Sequence, residues 1–215
     1  MKANVRVLIA DDHSVLRMGL ASLLGTAKNV EVVGEAANGD EAVRKAIKLK
    51  PDVIVMDLVM PKKDGVSATE EILATMPDTK VMILTTFGTS DDISRALKAG
   101  ATGAIMKSST NRELLAAVQS VAQGKRFISA EVEGILANDP PVPELSQRQR
   151  EILDSISRGL TNKDIATQLG ISLESVKSHI KIILEKLDAS TRAEAASIAQ
   201  RKHLLNGQVG ARTIC

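Results

Sequence analysis

The sequence predicts an α/β domain, a doubly wound (βα)5 unit with a parallel sheet in the order 2-1-3-4-5, followed by a small all-α domain of four helices containing a helix-turn-helix. Two observations carry this. From Val5 to Ala122, five short apolar runs alternate with five stretches of helical periodicity, the pattern of a parallel sheet covered on both faces. Beyond residue 144 only the helical period recurs, and a proline-rich stretch separates the two regimes.

The expected strands are Val5–Ala10, Val30–Glu35, Val53–Asp57, Val81–Thr85 and Gly103–Met106, rich in Val and Ile and bounded by Gly, Pro or Asp. Between them, Val15–Leu24, Asp40–Leu49, Val66–Thr75, Asp91–Ala99 and Asn111–Ala122 space apolar residues three and four apart. Thr110 with Glu113 opens the last of these and Gly124 closes it. Asn138-Asp139-Pro140-Pro141-Val142-Pro143 continues neither a helix nor a central strand, so residues 125–143 are expected to be an exposed linker. The later helices are expected over Gln147–Ser157, Asn162–Leu169, Leu173–Leu187 and Arg192–Gln200. The domains are therefore 1–124 and 144–205, with a flexible tail over 206–215.

Composition narrows the function. With 44% hydrophobic and 25% charged residues among 215, and a net charge of +2, the chain has the make-up of an ordinary soluble protein. No apolar run approaches the roughly 18 residues of a membrane span, and Asp11 and Asp12 interrupt the N-terminal run too early for a secretory signal. Cys215 is the only cysteine, so an internal disulfide is impossible and the expected compartment is the cytoplasm. Phe87 and Phe127 are the only aromatic residues, which argues against a single-strand binder that stacks bases on rings. Residues 144–215 hold 11 Lys and Arg against 8 Asp and Glu; the remainder holds 17 against 18.

Asp11 and Asp12 follow the first strand and Asp57 ends the third. In the order 2-1-3-4-5 those strands are neighbours, and the crevice outside their carboxyl ends is the switch point where ligands bind. Thr85 ends strand four and Lys107 follows strand five on the same edge. Carboxylates clustered without His or Cys in the set suit a hard cation such as Mg²⁺. The ion offsets their repulsion and leaves one carboxylate free to attack phosphorus, while Lys107 and Thr85 suit phosphoryl oxygens. Taken singly, each strand-end Asp or Thr could equally cap the helix that follows.

Asp11-Asp12, Met56-Asp57-Leu58-Val59-Met60-Pro61 with Gly65, Thr85, and Lys107-Ser108 together resemble the receiver domain of response regulators, over residues 4 to about 124. The resemblance implies that Asp57 is the phosphoacceptor for a sensor histidine kinase. It also implies that Asp11, Asp12, Asp57 and the backbone carbonyl of Val59 hold Mg²⁺, and that Thr85 and Lys107 sense the phosphoryl group. One departure stands out: three positions before the lysine, where the family places an aromatic ring, this chain has Ala104.

In the C-terminal region Thr161 with Asp164 reads as a helix start, Gly170-Ile171 as a tight turn and Ser172 as the next N-cap, the plan of a helix-turn-helix. On the second helix Val176, Ile180, Ile183, Leu184 and Leu187 share one face, and Lys177, Ser178, Lys181 and Glu185 the other. The segments from Leu145, Gly159 and Ser175 resemble the LuxR-type output domain over about residues 144–203, so the whole chain is similar to the NarL/FixJ class. That resemblance implies double-stranded DNA as a partner, with Lys177, Ser178 and Lys181 facing base edges and Asn162, Lys163, Ser172 and His179 at or near the backbone. It further implies a homodimer on phosphorylation or DNA binding, with DNA-bound subunits paired through the helix Arg192–Gln200, whose small residues would by composition alone serve helix packing inside the domain nearly as well.

The chain is not expected to be an enzyme. A phosphohydrolase with an aspartyl nucleophile needs a second acid two residues on, and Val59 stands there. A receiver that acts only through protein partners is the other alternative. Val59 and Phe87, both apolar, flank the path by which water would reach a phosphoryl group on Asp57, which predicts a long-lived phosphorylated state.

Overall fold

The computed structural model describes residues 4–86, 89–139, 141–202 and 204–205. The expected Phe87 and the tail 206–215 lie outside the described residues. The chain divides into two compact units between residues 140 and 141.

The first unit is a six-stranded parallel sheet in the order β2-β1-β3-β4-β5-β6. Its elements are β1 (Val5–Ala10), α1 (Ser14–Gly25), β2 (Val30–Ala36), α2 (Gly39–Leu49), β3 (Val53–Asp57), α3 (Gly65–Thr75), β4 (Lys80–Thr85), α4 (Ser90–Lys98), β5 (Gly103–Met106), α5 (Asn111–Ala122), β6 (Phe127–Ile128) and α6 (Ala130–Asn138). Period-two alternation sends the two halves of each strand into separate cores. Val7, Ile9, Val53, Val55, Met82, Leu84 and Ile105 pack with α1 and α5 on one face. Leu8, Ala10, Ile54, Met56, Val81, Ile83, Ala104 and Met106 pack on the other with residues of α2, α3, α4 and α6. Nearly all of these side chains are fully buried, each contributing about 1.5–3 kcal/mol if it is Val, Leu, Ile or Met.

The sixth strand and sixth helix correct the expected linker over 125–143. β6 pairs in parallel with β5 through Gly103↔Phe127 and Ala104↔Ile128, and the Ser129 N–H donates to the Ala104 carbonyl at 3.0 Å. Ser129 then caps α6 by accepting from the Val132 N–H, and Val132, Ile135 and Leu136 pack into the second core. A two-residue strand carries no readable period, and the i, i+3, i+4 spacing of α6 lasts only nine residues before the prolines begin. Ala104 is consequently buried beneath these added elements.

The second unit is all-helical: α7 (Gln147–Ser157), α8 (Asn162–Leu169), α9 (Leu173–Leu187) and α10 (Arg192–Arg201). Ile152, Leu153, Ile165, Val176, Ile183, Leu187, Ala195 and Ala199 form its own core. Ser146 with Gln149 and Thr161 with Asp164 each close a reciprocal capping box at a helix start. Gly170 adopts φ 64°, the left-handed conformation that ends α8 and lets α9 follow three residues later. Among the described residues no helix is long and apolar enough to cross a membrane.

Candidate phosphoryl site and nucleic-acid interface

Strand register builds the first site. Ala10 pairs with Met56, so the next residues, Asp11 and Asp57, stand level at the carboxyl edge of the sheet. Thr85 pairs with Met106, which brings Lys107 to the same edge, and the Lys107 N–H donates to the Thr85 carbonyl at 2.7 Å. Lys107 Nζ lies 2.6 Å from Asp11 Oδ2 and 2.8 Å from Asp57 Oδ2, so one ammonium bridges two buried carboxylates. Asp11 and Thr85 are each 1% exposed and Asp57 3%.

Burial pushes the Asp57 carboxyl up from the ordinary 3.8; the Lys107 ammonium opposes this and the Asp11 charge adds to it. Burial alone would lower the Lys107 ammonium, but its bonds to Asp11 and Asp57 outweigh that and leave it above its ordinary value.

The loop after β3 packs its backbone against Asp57. Val59 N–H points to Asp57 Oδ1 at 3.4 Å. The Lys63 N–H donates to the Pro61 carbonyl around Lys62 at φ 69°, a tight three-residue turn that reverses the chain. Gly65 then passes against the strand it has just left: its N–H donates to the Leu58 carbonyl at 2.9 Å, and a Cβ on it would sit 2.0 Å from the Asp57 carbonyl oxygen. Only glycine tolerates that approach.

Asp12 is placed differently from Asp11. It is exposed, and its Oδ1 lies 2.7 Å from Nδ1 of His13, whose backbone N–H donates to Asp11 Oδ1 at 2.8 Å. Two residues that sequence reasoning passed over act here. His13 lies within a cluster with Asp11, Asp12 and Asp57 whose ligand atoms all fall within 4.8 Å of one another. Arg17 clasps the Asp11 carbonyl at 2.7 Å and Glu35 at 3.1 Å, fixing the turn after β1 from inside α1. The three carboxylates of the cluster, Asp11 and Asp57 buried and Asp12 exposed, fit a divalent cation such as Mg²⁺.

The second site lies on α9. Val176, Ile183 and Leu187 are buried and Ile180 and Leu184 half-buried, while Lys177, Ser178, Lys181 and Glu185 are exposed, the division expected from their spacing. Ser172 caps α9 by accepting from the Ser175 N–H at 3.1 Å. Lys163 is exposed on α8. Asn162 is half-buried beside the Arg192 guanidinium, which also donates to the Leu160 carbonyl at 2.6 Å and so ties α10 to the start of α8. His179 is half-buried, with Nδ1 buried and without a hydrogen-bond partner in the structure. Lys177 pairs with Glu174 at 2.9 Å, an exposed contact worth little in water and readily exchanged for a phosphate.

A sheet-edge acidic pocket on one unit and a helix-turn-helix on the other define a receiver joined to a DNA-binding output domain. The chain belongs to the two-component response regulators of the LuxR type: residues 7–119 match the response regulator receiver domain and residues 143–199 the bacterial regulatory proteins of the luxR family. It is 41% identical over 210 residues to the transcriptional regulatory protein LiaR of Bacillus subtilis strain 168, covering 94% of this chain and 100% of LiaR. It is 37% identical over 206 residues to the response regulator protein VraR of Staphylococcus aureus strain NCTC 8325, covering 94% and 99%. Among solved structures it resembles the response regulator ChrA of a heme-sensing two-component system, with TM-score 0.57, 36% identity and coverage of 94% and 100%. It also resembles the RcsB–DNA complex, with TM-score 0.67, 26% identity and coverage of 92% and 98%.

Proposed function

We propose that a sensor histidine kinase phosphorylates Asp57 and that this modification switches dimerisation and sequence-specific binding to double-stranded DNA, in the cytoplasm. The single observation that carries the proposal is the bridge from Lys107 to both Asp11 and Asp57 in a buried pocket at the sheet edge.

In the transfer, a carboxylate oxygen of Asp57 attacks the phosphorus of a phosphohistidine. The new P–O bond forms as the P–N bond breaks, and the departing imidazole recovers a proton. Asp11, Asp12, Asp57 and the Val59 carbonyl would hold Mg²⁺, which when bound neutralises charge among the carboxylates and the phosphoryl oxygens. Lys107 moves its contact from the Asp57 carboxylate to a phosphoryl oxygen, and the Thr85 hydroxyl donates to another. Because Lys107 and Thr85 are linked by a backbone hydrogen bond, both respond to the same event.

For output, Lys177, Ser178 and Lys181 face base edges in the major groove, and Asn162, Lys163, Ser172 and His179 lie at the phosphate backbone. The exposure of the α9 lysines and the DNA-bound structure of the related RcsB support this reading. The exposed face of α10 supplies the pairing surface of the DNA-bound dimer, while its Ala195, Ile198 and Ala199 pack into the core of their own unit.

The test compares the full chain with and without beryllofluoride and Mg²⁺, by size-exclusion chromatography and by selection from random duplexes. The proposal expects larger particles and tighter binding to a selected duplex with the mimic. Unchanged size and unselective binding in both states would instead favour a receiver acting through protein partners alone.

A further inference from the structure

We propose that Ile182 reads DNA directly: from the exposed face of α9 it packs against the C5-methyl group of a thymine and selects that base at one position of each half-site. This rests on the reading that the face of Lys177, Ser178 and Lys181 enters the major groove.

With about 100° between successive residues, α9 sets six exposed side chains on one face. From Lys177 the order runs through Lys181 at about 40°, Glu174 at about 60°, Glu185 at about 80° and Ser178 at about 100° to Ile182 at about 140°. Ile182 stands one turn beyond Ser178, so the two make a ridge beside the ridge of Lys177 and Lys181. It is 39% exposed and the single apolar member of the six. Ile180, Ile183 and Leu184 pack into the core of their unit, whereas Ile182 does not join them. Packing within the unit therefore does not call for an apolar side chain at this position.

Charge divides the same face. Lys177 pairs with Glu174 at 2.9 Å and Lys181 with Glu185 at 4.0 Å, which gathers the four charged groups on one side. Ser178 and Ile182 are left as an uncharged edge. A lone exposed isoleucine is ordinary on most surfaces. On the second helix of a helix-turn-helix, beside two lysines, it meets a groove whose chemistry is defined.

The major-groove edges of the base pairs present hydrogen-bond donors and acceptors and one apolar group, the C5-methyl of thymine. Ile182 offers no hydrogen bond, so that methyl is the partner it complements. A cytosine in the same place presents its N4 amino group instead. Ile182 would strip that amino group of water and give it no acceptor. Selection for thymine therefore has an attractive and a repulsive part.

The experiment takes the full chain with beryllofluoride and Mg²⁺ and a duplex selected from random sequence. Each thymine of one half-site is replaced in turn by uracil, which removes the methyl and nothing else. Fluorescence anisotropy gives affinities for wild type, Ile182→Ala, Ile182→Gln and, for comparison, Lys181→Ala. Wild type should bind about three- to fivefold more weakly when one particular thymine is replaced, the effect of losing one buried methyl. Ile182→Ala and Ile182→Gln should bind the thymine and uracil duplexes alike, whereas Lys181→Ala should bind more weakly but keep the discrimination. Thermal melts verify that the variants fold. Wild type indifferent to uracil at every thymine, or discrimination that survives in both Ile182 variants, overturns the assignment of Ile182 alone. Failure to select any duplex overturns the major-groove reading beneath it as well.

Discussion

A Cβ placed on Gly65 would stand 2.0 Å from the main-chain oxygen of Asp57. The first residue of α3 is therefore packed directly against the backbone that carries the proposed phosphoacceptor. No side-chain rotation relieves such a clash, since the neighbour is a carbonyl held in β3. Gly65→Ala should destabilise the receiver unit by about 3 kcal/mol or more and disturb the loop holding Val59. Thermal melting checks this, and a melting temperature within a degree of wild type would show that the loop yields freely.

The Asp57–Lys107 pair gives a prediction with a defined sign. The Asp57 carboxyl is raised above 3.8, so the folded state favours its protonated form. Its charge therefore costs stability above the folded value, and the cost fades as pH falls through that value toward 3.8. Asp57→Asn without divalent ions should raise the melting temperature at neutral pH by about 2–4 °C, the equivalent of roughly 1 kcal/mol, with the gain vanishing on acidification. Lys107 has the opposite sign: its raised value means stability present below the ordinary 10.5 and lost only as pH rises through the folded value. Lys107→Met strands two buried carboxylates and should cost about 3–5 kcal/mol at neutral pH. Scanning calorimetry across pH distinguishes the two, and a destabilised Asp57→Asn at pH 7 would contradict the account.

How far the chain was legible differs by region. Asp57, Thr85 and Lys107 could be placed because each stands at the end of an apolar run, and parallel strands bring their carboxyl ends to one edge. Ser172, Thr161 and Gly170 were legible through cap and turn chemistry that acts within a few residues. β6 was not, because a two-residue strand owes its existence to the free edge of β5 rather than to any local pattern, and the helical spacing of α6 spans only nine residues ahead of a proline-rich stretch. His13, Arg17 and Arg192 were missed for a related reason: each acts on a backbone or carboxylate brought near by the fold. Asp12 was grouped with Asp11 as an equal, whereas one carboxylate is buried and the other exposed.

Exposed lysines on α9 yield a test independent of the receiver. Lys177→Ala and Lys181→Ala should each weaken binding to a specific duplex, and a lysine that contacts phosphate should lower the salt slope by about one unit. A selected duplex should show two-fold symmetry with half-sites about one helical turn apart. Both variants binding like wild type across salt concentrations would place the reading face elsewhere.

Val59 is 54% exposed and stands two residues after Asp57. It cannot orient a water by hydrogen bonding, and neither can Phe87, which lies outside the described residues. Phosphorylated Asp57 should therefore decay faster in the double variant Val59→Asn with Phe87→Glu than in wild type. Following the loss of phosphate by intact mass checks this; equal lifetimes would show that the two side chains have no bearing on hydrolysis.

The most direct test of the central claim is intact-mass measurement of the full chain incubated with a small-molecule phosphodonor. Wild type should gain one phosphoryl group when Mg²⁺ is present and none when the ion is chelated, and Asp57→Asn should gain none under either condition. Stoichiometric labelling that persists in Asp57→Asn, or that proceeds equally well without a divalent ion, would contradict the assignment of Asp57 as the acceptor in a cation-assisted pocket.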